Sequence, residues 1–201
     1  TSPEKYGNGT ALDTEAFAPA AHAPAPGTAS TMQNTHLYVP IEFKSREYLA
    51  KLLFSLHAAE AGFTVVTGGN LILQKHVPAL PRGLFVEKSV FSKNTYWIRQ
   101  LRLMGHSVAA WCEEGLCLLD NHMYCIRRID DDAIREIGPF IAWGQNQAQA
   151  IKAYRPDQAH KIQVLGNPRL DLLREPSRRF FEPEAQALRQ KYGDYVLLNS
   201  S

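Results

Sequence analysis

From residue 36 onward, short apolar runs alternate with longer stretches whose apolar residues recur every three or four positions. Nearly every short run ends in glycine or a polar cluster. The short runs have the length of buried strands, and the longer stretches have the period of amphipathic helices. Leu37-Tyr-Val-Pro-Ile-Glu-Phe43 predicts a first strand. Pro40 inside it donates no ladder hydrogen bond, which predicts a bulge or an early end to pairing near Glu42, Lys44 and Arg46. A helix is then expected over 46–61, with Ser45 as N-cap, a stripe at Leu49, Leu52, Leu53, Leu56, Ala59 and Ala61, and Gly62 as its stop. His57 within it reads as a surface or packed histidine.

A second strand over 63–67 runs straight into Gly68-Gly69-Asn70 and a short helix over 71–75. That arrangement lets backbone amides approach a ligand; a tight turn needing positive φ accounts for the glycines equally well. Strand 83–86 carries Glu87-Lys88-Ser89 at its carboxyl end. Lys88 is placed to pair with an anionic ligand or with neighbouring surface carboxylates. The helix expected over 93–104 interleaves Tyr96, Trp97, Ile98, Leu101 and Leu103 with Lys93, Arg99 and Arg102. It reads as a core helix with a solvated basic face, and also allows a peripheral membrane contact.

Strand 106–110 leads into Glu113-Glu114-Gly115. Asp130-Asp-Asp132 caps a helix to about residue 137, at its positive end. Strand 138–142, a helix over 145–154 and strand 161–165 follow, with Gly166-Asn-Pro-Arg169 after the last. A helical turn over 171–174, a helix over 183–191 closed by Gly193, and a strand over 194–201 complete the chain. Strands alternating with helices predict a parallel sheet with right-handed crossovers, an α/β Rossmann-like fold flanked by helices. Residues 1–35, rich in Ala, Pro, Gly and Thr, lack apolar periodicity and are expected to form a disordered tail.

Composition narrows the function classes. The 201 residues are 45% hydrophobic and 21% charged, ordinary for a globular chain. A net charge of +2 gives no electrostatic case for nucleic acid. Cys112, Cys117 and Cys125 form neither a disulfide framework nor a metal spacing, which points to a reducing, cytoplasmic compartment. The histidines lack carboxylate partners at ligand spacing, so no metal and no cofactor is expected.

In an open α/β sheet ligands bind outside the carboxyl ends of the strands. The two adjacent carboxylates after strand 106–110 are therefore the candidate catalytic residues, Glu114 first and Glu113 second, on a turn that Gly115 lets bend sharply. An ordinary solvated glutamate pair is the competing explanation. Lys88, Ser89, Gly68, Gly69 and Asn70 are candidate substrate-lining residues by the same strand-end position.

Four segments in order resemble the bacterial surface carbohydrate (surface polysaccharide) biosynthesis proteins: Leu84-Phe-Val-Glu-Lys-Ser89, Gly105-His106 with Cys112-Glu-Glu-Gly-Leu116, Ala142-Trp-Gly144, and Val164-Leu-Gly-Asn-Pro-Arg-Leu-Asp171. Cys112 stands where that family usually has aspartate. The resemblance, over roughly 36–201, implies a two-domain glycosyltransferase of the GT-B architecture. It implies an acceptor-side N-terminal domain over 36–168, and over 169–201 a linker with the first strand of a C-terminal domain. Arg169 would lie at the interdomain cleft. The chain is then expected to be truncated before its second domain and inactive alone. A start at Thr1 and a last strand that stops abruptly give the same expectation. The implied partners are a nucleotide-sugar donor, held mainly by the second domain, and a glycan or lipid-linked acceptor at the inner membrane. A non-catalytic glycan- or nucleotide-binding domain and another sugar-nucleotide enzyme are the alternative readings.

Overall fold

The protein is described here from a computed structural model over residues 36–115 and 120–198. The tail expected over 1–35 lies outside the described residues, as do Cys117 and 199–201. Six parallel strands form one sheet: β1 (His36–Ile41), β2 (Thr64–Gly69), β3 (Leu84–Glu87), β4 (Ser107–Trp111), β5 (Phe140–Ala142) and β6 (Ile162–Val164). Their order is β2-β1-β3-β4-β5-β6, so the α/β, Rossmann-like parallel sheet is as the strand–helix alternation predicts.

Alternate side chains face opposite ways along each strand, and the core divides accordingly. Tyr38, Phe85, Val108, Ala110 and Phe140 face one side. They pack on α3 (Ser92–Leu103), α4 (Asn121–Arg128), α5 (Asp131–Glu136) and α6 (Gln145–Tyr154) through Ile98, Leu101, Tyr124, Cys125, Ala133, Ile134 and Ile151. Leu37, Val39, Val86 and Trp111 face the other side, against Phe54 and Ala58 of α1 (Lys44–Glu60). A short helix, α7 (Pro168–Asp171), packs beside α1.

Several local expectations are corrected. Helix α1 begins at Lys44 with Phe43 at its N-cap, so Ser45 lies inside it and makes no cap. Glu47 supplies the bond instead, accepting from the Glu42 amide at 3.0 Å. The inward face of α1 is not the leucine stripe but Glu47, Ala50, Lys51 and Ser55, while Leu56 is 56% exposed. Gly68 and Gly69 belong to strand β2, paired with Pro40 and Ile41, rather than to a loop with positive φ. Helix α2 (Asn70–His76) follows at once. Asn167 caps α7 with Pro168 in its first turn, so this helix starts earlier than 171. Helix α8 (Glu182–Tyr192) ends at Gly193, whose φ is +67°.

Residues 194–198 join no ladder, contrary to the strand expected there. A strand exists only as a member of a ladder. Here β6 pairs with β5, and the chain then leaves the sheet through α7 and α8.

Candidate functional site

The sheet order creates a crevice. From β1 the chain moves outward to β2, then returns to β3 and proceeds the other way, so β1 and β3 flank the topological switch point. In open α/β sheets that point is where ligands bind, beyond the carboxyl ends. Pro40 shapes it. The β1–β2 ladder runs on to Ile41–Gly69, whereas the β1–β3 ladder ends at Tyr38–Phe85. Past that pair, the proline has no N–H to offer β3.

A buried charge network lies behind the opening. The Lys51 ammonium has three acceptors: the Pro40 carbonyl at 2.6 Å, Glu47 Oε2 at 2.7 Å and Glu113 Oε1 at 3.4 Å. The first two are hydrogen bonds and the third an ion pair, and such pairing is the condition on which a buried ammonium is tolerated. Burial works against the Glu47 carboxylate, but the bonds from Lys51, the Glu42 amide and Arg46 outweigh it and hold its pKa below the usual value. Glu87, the last residue of β3, sits deeper. Burial pushes its carboxyl upward, against a 2.9 Å bond from Trp97 Nε1 and the nearby charges of Lys51 and Lys88.

The loop after β4 is fastened from several directions. Trp111 Nε1 donates to Glu113 Oε1 at 2.9 Å, and Arg169 Nη2 to Glu113 Oε2 at 2.7 Å. The Arg169 guanidinium lies 5.7 Å from the centre of the Trp143 ring, a cation–π distance. Trp143 Nε1 donates to the Cys112 carbonyl, and Gln147 bridges the Trp143 amide to the Tyr124 hydroxyl. A Cβ on Gly115 would come 2.5 Å from the Trp143 ring and 2.7 Å from Gln147 Nε2. Close approach therefore demands this glycine; its φ is not among the positive ones.

The structure divides the expected site residues. Glu113 and Arg169, 56 positions apart, form a pair. Glu114 points elsewhere, half-exposed and paired with Arg128 at the end of α4. Lys88 meets Glu42 across the switch point. Ser89 accepts from Asn94 at the start of α3. Gly68 and Gly69 end the outer strand β2, and Asn70 opens α2 and accepts from Gln74.

The residues not foreseen are Glu42, Glu47, Lys51, Glu87 and Arg128. A glutamate four places before a lysine on a helix was a usable signal for Glu47 and Lys51. The neighbouring leucines suggested the wrong face.

Hollows lie among the helices around these residues. Between α4 and α6 runs an open groove of about 550 Å³, lined by the carboxamides of Asn121, Asn146 and Gln149 with His122 and Tyr154. Cys125 on its wall is buried, which pushes its thiol up to about 11, so it is not a thiolate nucleophile. Under α1 and α7 an apolar hollow of about 230 Å³ is bounded by Leu53, Phe54, Trp111 and Ile141. No cluster of three metal-ligating side chains occurs among the described residues. Comparison with protein-family models, with curated proteins and with solved structures found no match.

Proposed function

We propose that this chain is the acceptor-side domain of a glycosyltransferase, with Glu114 as its reacting carboxylate. The observation that carries the reading is the different fate of two adjacent acids. Glu113 has both oxygens engaged by Trp111, Lys51 and Arg169. Glu114 is half-exposed at the strand-end edge and paired with Arg128. Glu113 is thus a positioning residue. Glu114, the more exposed of the two, is the carboxylate that accepts a proton from an acceptor hydroxyl, while Arg128 and Arg169 supply positive charge toward a leaving phosphate.

The α4–α6 groove suits the acceptor. Its described lining offers carboxamides, an imidazole and a phenol but no lysine, arginine or carboxylate, which favours a polyhydroxylated chain over an anion. In this reading the nucleotide-sugar donor is held mainly by a second domain of the GT-B arrangement, in keeping with the motifs from Leu84 to Asp171.

The test is release of nucleotide from a panel of nucleotide sugars, CMP-linked acids included, by the full-length protein with and without glycan. Glu114→Gln is expected to lower turnover at least about 100-fold with the unfolding midpoint unchanged. Retained turnover removes Glu114 from the chemistry. Glycan binding without release from any donor favours a non-catalytic binding domain.

A further inference from the structure

The carboxyl ends of β1 and β2 carry a feature that glycosyl transfer does not use. Phe43 is 53% exposed, Leu71 77% and Ile72 61%. They stand on neighbouring segments, because Ile41 and Glu42 share one hollow of about 270 Å³ with Asn70, Leu71 and Ile72. Large apolar side chains exposed to water on two neighbouring segments mark a contact surface.

The polar fringe identifies what is contacted. Within 43–49 and 70–76 the cations are Lys44, Arg46 and Lys75, with His76 beside them. The single acid in those segments is Glu47, which is buried on Lys51 and Arg46. Glu42, next to Phe43, is paired with Lys88. On α2 the exposed positions Leu71, Ile72, Lys75 and His76 form one face, while Leu73 is buried. Arg46 lies 4.9 Å from the centre of the Phe43 ring, and Lys44 is 5.8 Å from that of Tyr48. Long cationic side chains over apolar rings can keep their heads in the polar layer while the rings go deeper.

We propose that this surface docks the protein on an anionic lipid bilayer. Phe43, Leu71 and Ile72 enter the headgroup–acyl boundary, and Lys44, Arg46 and Lys75 meet lipid phosphates. Apolar area together with electrostatic attraction is what interfacial binding requires. A two-fold pairing of copies would instead bring the same cations face to face, which is repulsive. Helix α3, the membrane face considered from sequence, is less suited. Arg99 pairs with Asp132 and Glu136, Arg102 with Glu136, and Trp97 is bonded to Glu87.

Co-sedimentation of the protein with vesicles tests this. Phosphatidylcholine vesicles containing phosphatidylglycerol are expected to bind it, and pure phosphatidylcholine much less, with binding reduced by salt. The double variant Leu71→Ser/Ile72→Ser is expected to lower partitioning at least about tenfold. Lys44→Glu/Lys75→Glu is expected to abolish the preference for anionic vesicles. Both should keep the native circular dichroism spectrum, since these side chains are exposed. Equal binding to both vesicle types, or unchanged binding by the serine variant, overturns the proposal. So does concentration-dependent self-association that the serine variant abolishes, which would assign the surface to a second copy.

Discussion

At the scale of single residues, the site depends on carboxyl groups in unlike surroundings. Glu47 is surrounded by donors and stays charged, whereas the Glu87 carboxyl is pushed upward by burial. A carboxyl with a raised native pKa contributes stability that is complete below the ordinary carboxylate range and lost as pH rises through the raised value. Glu47, with a lowered pKa, contributes the opposite slope, which is lost on acidification. Glu87→Gln keeps an oxygen for the Trp97 bond and removes the titration. Relative to wild type, this variant should therefore gain stability as pH rises from about 5 to about 8. Thermal unfolding of both proteins across that range is the check, and parallel curves would mean that Glu87 does not titrate there. None of this was legible in the sequence. A glutamate at a strand end reads as a solvent-facing candidate, and only the packing of Trp97 over it shows that it is buried.

At the scale of elements, one proline and one glycine set the geometry. Pro40 was readable as an end to pairing, and the β1–β3 ladder does end just before it. Gly115 was readable as a required glycine, but for a bend, whereas the structure requires it for contact with Trp143 and Gln147. That contact is a close-packed one between a loop and an indole whose own N–H is bonded to Cys112. Gly115→Ala should therefore shift the loop, weaken the Glu113–Arg169 pair and cost about 1–3 kcal/mol in urea unfolding. An unchanged midpoint would show that the loop yields freely. Helix α1 gives the converse lesson. Its four leucines recur at helical spacing, so periodicity alone chose the stripe of Leu49, Leu52, Leu53 and Leu56 as the inward face. The sheet instead takes Glu47, Lys51 and Ser55, because an acceptor carbonyl at Pro40 and a carboxylate at Glu113 await the lysine.

At the scale of the whole molecule, the alternation of apolar runs and periodic stretches was enough to read a parallel sheet flanked by helices. It did not reveal α4, whose few apolar residues follow 116–119, nor the strand order that puts β1 beside β3. Long-range partners such as Glu113 and Arg169 cannot be seen from spacing, since only folding makes them neighbours. Lys51 joins most of these levels. Its ammonium touches a β1 carbonyl, a carboxylate of its own helix, and a loop carboxylate that α7 also grips. An amine so enclosed cannot meet an acylating reagent until β1, α1 and the β4 loop part. Its labelling rate therefore reports an opening of the fold rather than the intrinsic nucleophilicity of lysine. Mass spectrometry of timed acetylation should find Lys51 modified long after Lys44 and Lys75. Any ligand that wedges the crevice open should advance it, so that one amine serves as a clock for occupancy of the site.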